Sequence, residues 1–265
     1  MAKKAKRRGA STEEARFLAG YREEDYERLS LTVDILLFTL DSDFGLRVLL
    51  KKREEFPFKD HWALPGGFVR IDESVEAAAM RVMKEKTGLS DLHLEQLYTF
   101  GDRERDPRMR IVTVAYLAVI PRGTAVASDG TFFRVDDSRG ALIFGGGAED
   151  GDGQGSEGCG RSFDASRLAF DHADIVALAL ERMRGKLNYT DLALEFLKDR
   201  RSFTLYELQK VYEAIENKGY DTPNFRRYFK NRYEATGAVE RTEEMSTEFS
   251  KRPSAMYRLI GQRST

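Results

Sequence analysis

Apolar residues occur along this chain in blocks of two periods. Leu31 to Asp41 (LTVDILLFTLD) is an almost unbroken apolar run rich in β-formers. The turn residues SDFG follow it, then a second run, LRVLLKKRE, so the pair predicts two strands joined by a hairpin-like turn. Residues 94–123 predict two more strands around the charged turn GDRERDPR. Between these pairs the period changes. Val75, Ala78, Ala79, Val82 and Met83 recur at helical spacing, with Ser74 placed to N-cap the helix and Gly88 to close it in a left-handed conformation. Pro65, Gly66 and Gly67 precede the helix and predict a tight loop whose backbone can approach a ligand with no Cβ in the way. Strands and helices interleaved in this way predict an α+β layer.

The pattern breaks at residues 139–162, where nine glycines fall between Gly140 and Gly160 among several acids. That composition predicts a flexible surface insertion without a core. Helical periodicity returns at LAFDHADIVALALERMRGKL, where Asp171 is the expected N-cap, His172 a helix-start residue, and Ile175, Leu178, Ala179 and Met183 the buried face. The C-terminal quarter forms its own unit. Thr204 and Glu207 make a capping box that opens a helix to about Asn217, which Gly219 ends. Thr222 and Pro223 predict the start of a second helix, NFRRYFKNRY, with Phe225, Tyr228 and Phe229 as its buried stripe. Two strands around a polar loop follow. Helix, turn, basic helix and β-wing is the order of a winged helix-turn-helix, whose second helix enters the major groove of DNA.

Composition narrows the function classes. The chain has 265 residues, enough for roughly two domains, and its net charge of −1 gives no global affinity for nucleic acid, so local charge must carry it. One cysteine, Cys159, excludes an intrachain disulfide, and three scattered histidines predict no metal cluster. There is no apolar run of membrane-spanning length and no signal-peptide core behind Lys3, Lys4, Lys6, Arg7 and Arg8, so a cytoplasmic location is expected. That basic run predicts a solvated tail. The expected organisation is a basic flexible tail over residues 1–24, an effector domain over 25–168, a linker helix over 169–185 and a winged helix over 186–265.

The polar positions around the first helix carry a specific pattern. Gly67, Glu73, Arg81, Met83, Glu85, Gly88 and Leu89 keep the spacing of the Nudix box, G-x5-E-x7-R-E-U-x-E-E-x-G-U, and so resemble it. In active Nudix hydrolases the three carboxylates after the arginine hold magnesium against a diphosphate. This chain has Val82, Glu85 and Lys86 at those places, so a metal cluster and a catalytic residue set are not expected. Arg81 and Glu85 are spaced for an internal ion pair, and Glu73 is expected to hold the loop. An ammonium at Lys86, where a metal ligand belongs, suggests a group that meets the phosphates directly.

With both halves in view, the chain is similar to the Nudix-related transcriptional regulators of the NrtR type. The resemblance runs from Tyr26 to Ile260 outside the glycine-rich segment and rests on TVDILLFTL, PFKDHWALPGGFV, GDRERDPRMRIVTVAY, LAFDHADI, FTLYELQKVYEAI, NFRRYF and KRPSAMYRL. It implies a Nudix-type mixed sheet with helices followed by a C-terminal winged helix. It also implies a homodimer on a palindromic double-stranded DNA operator, ADP-ribose as effector with no cofactor, and repression of NAD metabolism genes. A weak ADP-ribose hydrolase, or a regulator of this family that answers to a sugar metabolite, are the alternatives. An adenosine diphosphoribose ligand needs cations, an aromatic face and hydrogen-bond donors. The candidates are Arg53, Trp62, Gly66, Gly67, Arg70, Lys86, Arg105 and Arg108, with Trp62 equally suited to packing beneath the loop. For DNA the candidates are Asn224, Arg226, Arg227 and Lys230 on the recognition helix, and Lys251 and Arg252 in the wing.

Overall fold

A computed structural model describes residues 12–90, 92–138, 140–146 and 162–260. Cys159 and the basic run from Lys3 to Arg8 lie outside the described residues. In chain order the elements are α1 (Thr12–Gly20), β1 (Ser30–Leu40), β2 (Leu46–Lys52), β3 (Trp62–Ala63), β4 (Gly66–Phe68), α2 (Val75–Thr87), β5 (Glu95–Phe100), β6 (Ile111–Val119), β7 (Thr131–Asp136), β8 (Ile143–Gly145), β9 (Phe163–Asp164) and α3 (His172–Lys186). The second half continues with α4 (Leu192–Glu195), β10 (Phe203–Thr204), α5 (Leu205–Glu216), α6 (Thr222–Phe229), β11 (Val239–Ser246) and β12 (Ser254–Leu259).

The unbroken apolar run of β1 has a direct physical cause: the strand is buried on both faces. Val33, Ile35 and Leu37 point into a cluster with Ala78, Ala79, Val82 and Met83 of α2. Leu36, Phe38 and Leu40 point the other way, into a cluster with Ile175, Val176, Ala179 and Met183 of α3. β1 pairs in parallel with β6, with Val33 opposite Val114, and antiparallel with β2 and β4. The sheet therefore lies between two helices, in the order β5-β6-β1-β2-β7-β8-β9. Downstream, β10, β12 and β11 form a three-stranded sheet beside α5 and α6. The α3 cluster does not stop at the first domain. It continues through Phe196 into Phe203, Leu208, Tyr212, Phe225 and Tyr233 of the winged helix, so the two units share one apolar core.

Several local expectations need correction. Residues 12–20 of the expected tail are helical. The start of the glycine-rich segment is not coreless: Ile143–Gly145 pairs with β7 and β9, and the Phe144 side chain is fully buried. Asp221, one residue before Thr222, caps α6 by accepting the Asn224 amide at 3.1 Å. Asn217, not Gly219, takes the left-handed position that ends α5, with φ 53°. Asp171 precedes α3 but caps nothing with its side chain, because its carboxylate is taken by Arg105.

Candidate effector pocket and nucleic-acid interface

The Gly-Gly loop lies directly on the middle of β1. Gly66 pairs with Asp34, and a Cβ there would meet Asp34 Oδ1 at 2.3 Å and the Val33 carbonyl at 3.0 Å, so only glycine allows this approach. A Cβ on Gly67 would meet the Val82 side chain at 2.9 Å. Val82 is thus buried under the loop, apolar where the Nudix pattern has a carboxylate.

The loop is tied to α2 by the box residues themselves. Arg81 donates to both Glu73 oxygens, at 2.5 and 2.9 Å, and to the Phe68 carbonyl at 3.0 Å. Glu73 also accepts the Arg70 amide at 2.9 Å. The Arg81 hydrogen bonds, with that amide, pull the Glu73 carboxyl down to about 2. Glu85 faces Arg81 at 3.3 Å and Arg70 at 3.7 Å. All of these carboxylates are committed to arginines.

Behind the loop sits a buried polar cluster. Arg105 forms a two-pronged pair with Asp171 at 2.6 and 2.8 Å and lies 3.6 Å from Asp34. His172 is buried, accepts the Leu64 amide through Nδ1 at 2.9 Å and has Nε2 3.8 Å from Asp34. Desolvation lowers the His172 pKa, which fits a neutral ring that accepts through Nδ1. The cluster fixes the backbone of the loop from below, and none of its members is free for a ligand.

In front of the loop opens a pocket of about 330 Å³. Its walls are Lys51 and Lys52 from the end of β2, Arg53, Glu54 and Glu55 beyond it, Ala63 to Gly66, and Lys86 from α2. Arg53 is anchored by donating to the Pro57 carbonyl at 2.9 Å and stacks 4.8 Å from the Phe170 ring centre. Arg53, Gly66 and Lys86 are therefore together in the pocket as the sequence suggested. Gly67, Arg70 and Arg108 are not among its described lining residues; Arg108 pairs with Asp106 at 2.8 Å. Two other candidates have their partners inside the fold. Arg105 is a buried structural cation, and Trp62 packs edge-on to Phe133 at 4.6 Å and stacks with Phe163, so its faces serve the core.

The winged helix presents a different surface. Phe225 and Phe229 lock α6 into the core, which turns Asn224, Arg226, Arg227 and Lys230 outward. Arg227 donates to Asn224 at 3.1 Å, which orders the front of the helix. Arg232, by contrast, donates to the carbonyls of Asn188 and Thr190 and serves the interdomain joint. Lys251 and Arg252 are exposed at the tip between β11 and β12.

Residues 29–152 match the NUDIX domain model, and residues 194–259 match the NrtR DNA-binding winged helix domain model. The chain is 35% identical over 254 residues to the ADPR responsive transcriptional repressor NtrR of Acinetobacter baylyi, covering 95% of this chain and 90% of the relative. The chain belongs to the NrtR family of Nudix-related transcriptional regulators. Its structure is also similar to Shewanella oneidensis NrtR complexed with a 27mer DNA, at 32% identity and a TM-score of 0.63, covering 87% of this chain and 93% of that one. A MutT/nudix family protein from Enterococcus faecalis superposes with a TM-score of 0.71 at 28% identity, covering 96% and 95% of the two chains.

The Nudix fold implies a divalent cation on α2, but the residues of this NrtR family member do not fit one. Val82 is apolar and buried, Lys86 is cationic, and Glu73 and Glu85 are held by arginines. Sequence reasoning missed Lys51, Lys52, Asp34 and the buried role of His172. Signals for three of them were present: Asp34 is an acid inside an apolar strand, and Lys51-Lys52-Arg53 is a cationic run at a strand end. No helix among the described residues is long and apolar enough to cross a membrane.

Proposed function

We propose that this chain is a transcriptional repressor of NAD metabolism genes that binds a palindromic DNA operator as a homodimer and is released by ADP-ribose without hydrolysing it. The observation that carries the reading is the exposed face of α6, where Asn224, Arg226, Arg227 and Lys230 stand clear of a helix anchored by Phe225 and Phe229. Recognition helices use such polar and guanidinium groups for base edges, while wing cations such as Lys251 and Arg252 meet phosphates. The cationic pocket supports an anionic effector, and the named repressor of Acinetobacter baylyi is ADPR responsive. The absence of turnover is supported by the loss of carboxylates at Val82 and Lys86 and by the ion pairs that occupy Glu73 and Glu85. A cytoplasmic location accords with a regulator of this kind.

The test is fluorescence anisotropy on an operator selected from random duplexes, with and without ADP-ribose. Specific binding should fall with salt and weaken about tenfold or more when ADP-ribose is added. Replacing both Arg226 and Arg227 with Ala should remove sequence preference while the protein stays folded. Phosphorus NMR of the same samples with magnesium should show the diphosphate signals persisting over hours. Retained preference in the double variant would refute the interface, and appearance of monophosphate signals would return the chain to the hydrolases.

A further inference from the structure

We infer that the pocket between β2 and the last turn of α2 is a metal-independent diphosphate site in which Asp129 is a built-in anion that the ligand's phosphates displace. The identity of the ligand as ADP-ribose rests on the function proposed above. The charge exchange rests on the pocket alone.

Three ammonium groups and one guanidinium line this pocket: Lys51, Lys52, Lys86 and Arg53. Lys51 and Lys52 end β2, Arg53 follows them and Lys86 lies in the last turn of α2, so they converge on the space in front of the Gly-Gly loop from both sides. A magnesium ion needs several oxygen ligands in near-octahedral order; the wall has two carboxylates, Glu54 and Glu55, and among the described residues no group of three or more acids or histidines is placed to hold an ion. Ammonium groups are compact point charges on flexible stems and neutralise phosphates without a fixed coordination number. Lys86 stands where the Nudix pattern has a carboxylate, and Lys51 and Lys52 line the same pocket, so cations occupy the place that the pattern gives to a metal. The site keeps its affinity for diphosphate and loses the ion that drove hydrolysis.

Asp129 supplies the second observation. Its carboxylate, beside the pocket rather than in its lining, accepts a hydrogen bond from Nζ of the wall residue Lys51. That bond holds the Asp129 carboxyl below the usual carboxylate range, and the charge of Lys86 adds to the effect, so both lysines act on one point. The segment carrying Asp129 is closely fitted. A Cβ on Gly130 would meet the Leu50 carbonyl at 2.9 Å, the Gly130 amide donates to Ser128 Oγ at 3.0 Å, and Ala127 lies against Gly88 at the end of α2. Asp129 is therefore presented to the lysines rather than swept past them. Its side chain is 62% exposed, so it can pass to water at small cost. A diphosphate carries a charge on each phosphate, so it outcompetes a single carboxylate for the same cations.

The experiment is calorimetric titration of the full chain with ADP-ribose and, separately, with inorganic pyrophosphate, each in EDTA and in magnesium. ADP-ribose affinity in EDTA should stay within about threefold of the value in magnesium. Lys51→Gln and Lys86→Gln should each weaken it about tenfold in EDTA, whereas Asp129→Asn should tighten it roughly two- to fivefold. ADP-ribose binding that requires magnesium, or an Asp129→Asn variant with unchanged affinity for both probes, overturns the inference and leaves the effector reading intact. Pyrophosphate binding in EDTA with the same variant pattern, but no ADP-ribose binding, supports the inference and removes ADP-ribose as effector.

Discussion

Glu73, just ahead of α2, and Arg81 within it tie the Gly-Gly loop to the helix. Glu73 and Arg81 keep Nudix spacing, yet their hydrogen bonds and the Phe68 carbonyl make them a clasp between loop and helix. The clasp has a titration signature. A carboxyl lowered to about 2 contributes stability that is full above its unfolded pKa, roughly 4.3, and is lost only as pH falls through the folded value. The Glu73 carboxyl carbon shift should consequently be flat from pH 6 to pH 3. In Arg81→Met it should titrate near the ordinary glutamate value. A midpoint between pH 4 and 5 in the wild-type protein would falsify the clasp. The sequence disclosed the Arg81–Glu85 pair and Glu73 as a holder of the loop, because both are local, but not that Arg81 is the partner of Glu73 across eight residues. It did not disclose Arg105 as structural, because its partners Asp34 and Asp171 are brought to it from β1 and the start of α3. Nor did it settle Trp62, whose ring partners Phe133 and Phe163 belong to strands that pair only in the folded sheet.

At the scale of elements, legibility followed the range of the signal. Helix α2 with both caps and α5 with its N-terminal capping box were readable because Ser74, Gly88, Thr204 and Glu207 act within one turn. The cap of α6 was displaced by one residue, since Asp221 and Thr222 are both good N-caps and only the backbone geometry at Asp221 decides between them. Strand β8 was hidden, because three residues amid glycines have no period; Phe144 becomes core only through β7 and β9. The best-defined cap is also the most exposed to test. Thr204 accepts the Glu207 amide at 3.2 Å, and Glu207 answers the Thr204 amide at 2.9 Å, with both residues buried. Thr204→Ala should cost about 1–2 kcal/mol, or about 2–4 °C in the melting temperature, while Thr204→Ser recovers most of it. Equal melting temperatures for wild type and Thr204→Ala would show that the box carries no weight.

At the scale of the whole molecule, a pocket can govern DNA binding only if its state biases the position of the winged helix. Besides Arg232, two further joints connect them among the described residues. One is rigid: Arg184 pairs with Asp137 at 2.6 and 2.8 Å, donates to the Ile215 carbonyl, and is reinforced by Asn217. The other is Arg122, at the start of the segment that ends in Asp129 and Gly130. Its guanidinium lies 4.5 Å from the Phe44 ring and 5.6 Å from that of Phe249, and it faces Glu207 of α5 at 3.6 Å and Glu248 of the wing at 3.9 Å. Phe249, two residues before Lys251, also packs on Phe44 and stacks on Tyr206. These contacts join effector domain and wing through aromatic faces, each worth of order 1 kcal/mol, which is the size of a working allosteric coupling. Phe249→Ala and Arg122→Met should therefore leave ADP-ribose affinity and ligand-free DNA affinity within about threefold of wild type. The ratio of DNA affinities without and with ADP-ribose should shrink about fivefold or more. Because coupling is reciprocal, DNA should lose the same factor in its effect on ADP-ribose binding, which calorimetry on the preformed complex measures independently. A full-sized ratio in both variants would assign the transmission to Arg184 and the shared core, and the same measurement on Arg184→Met would then show its loss there.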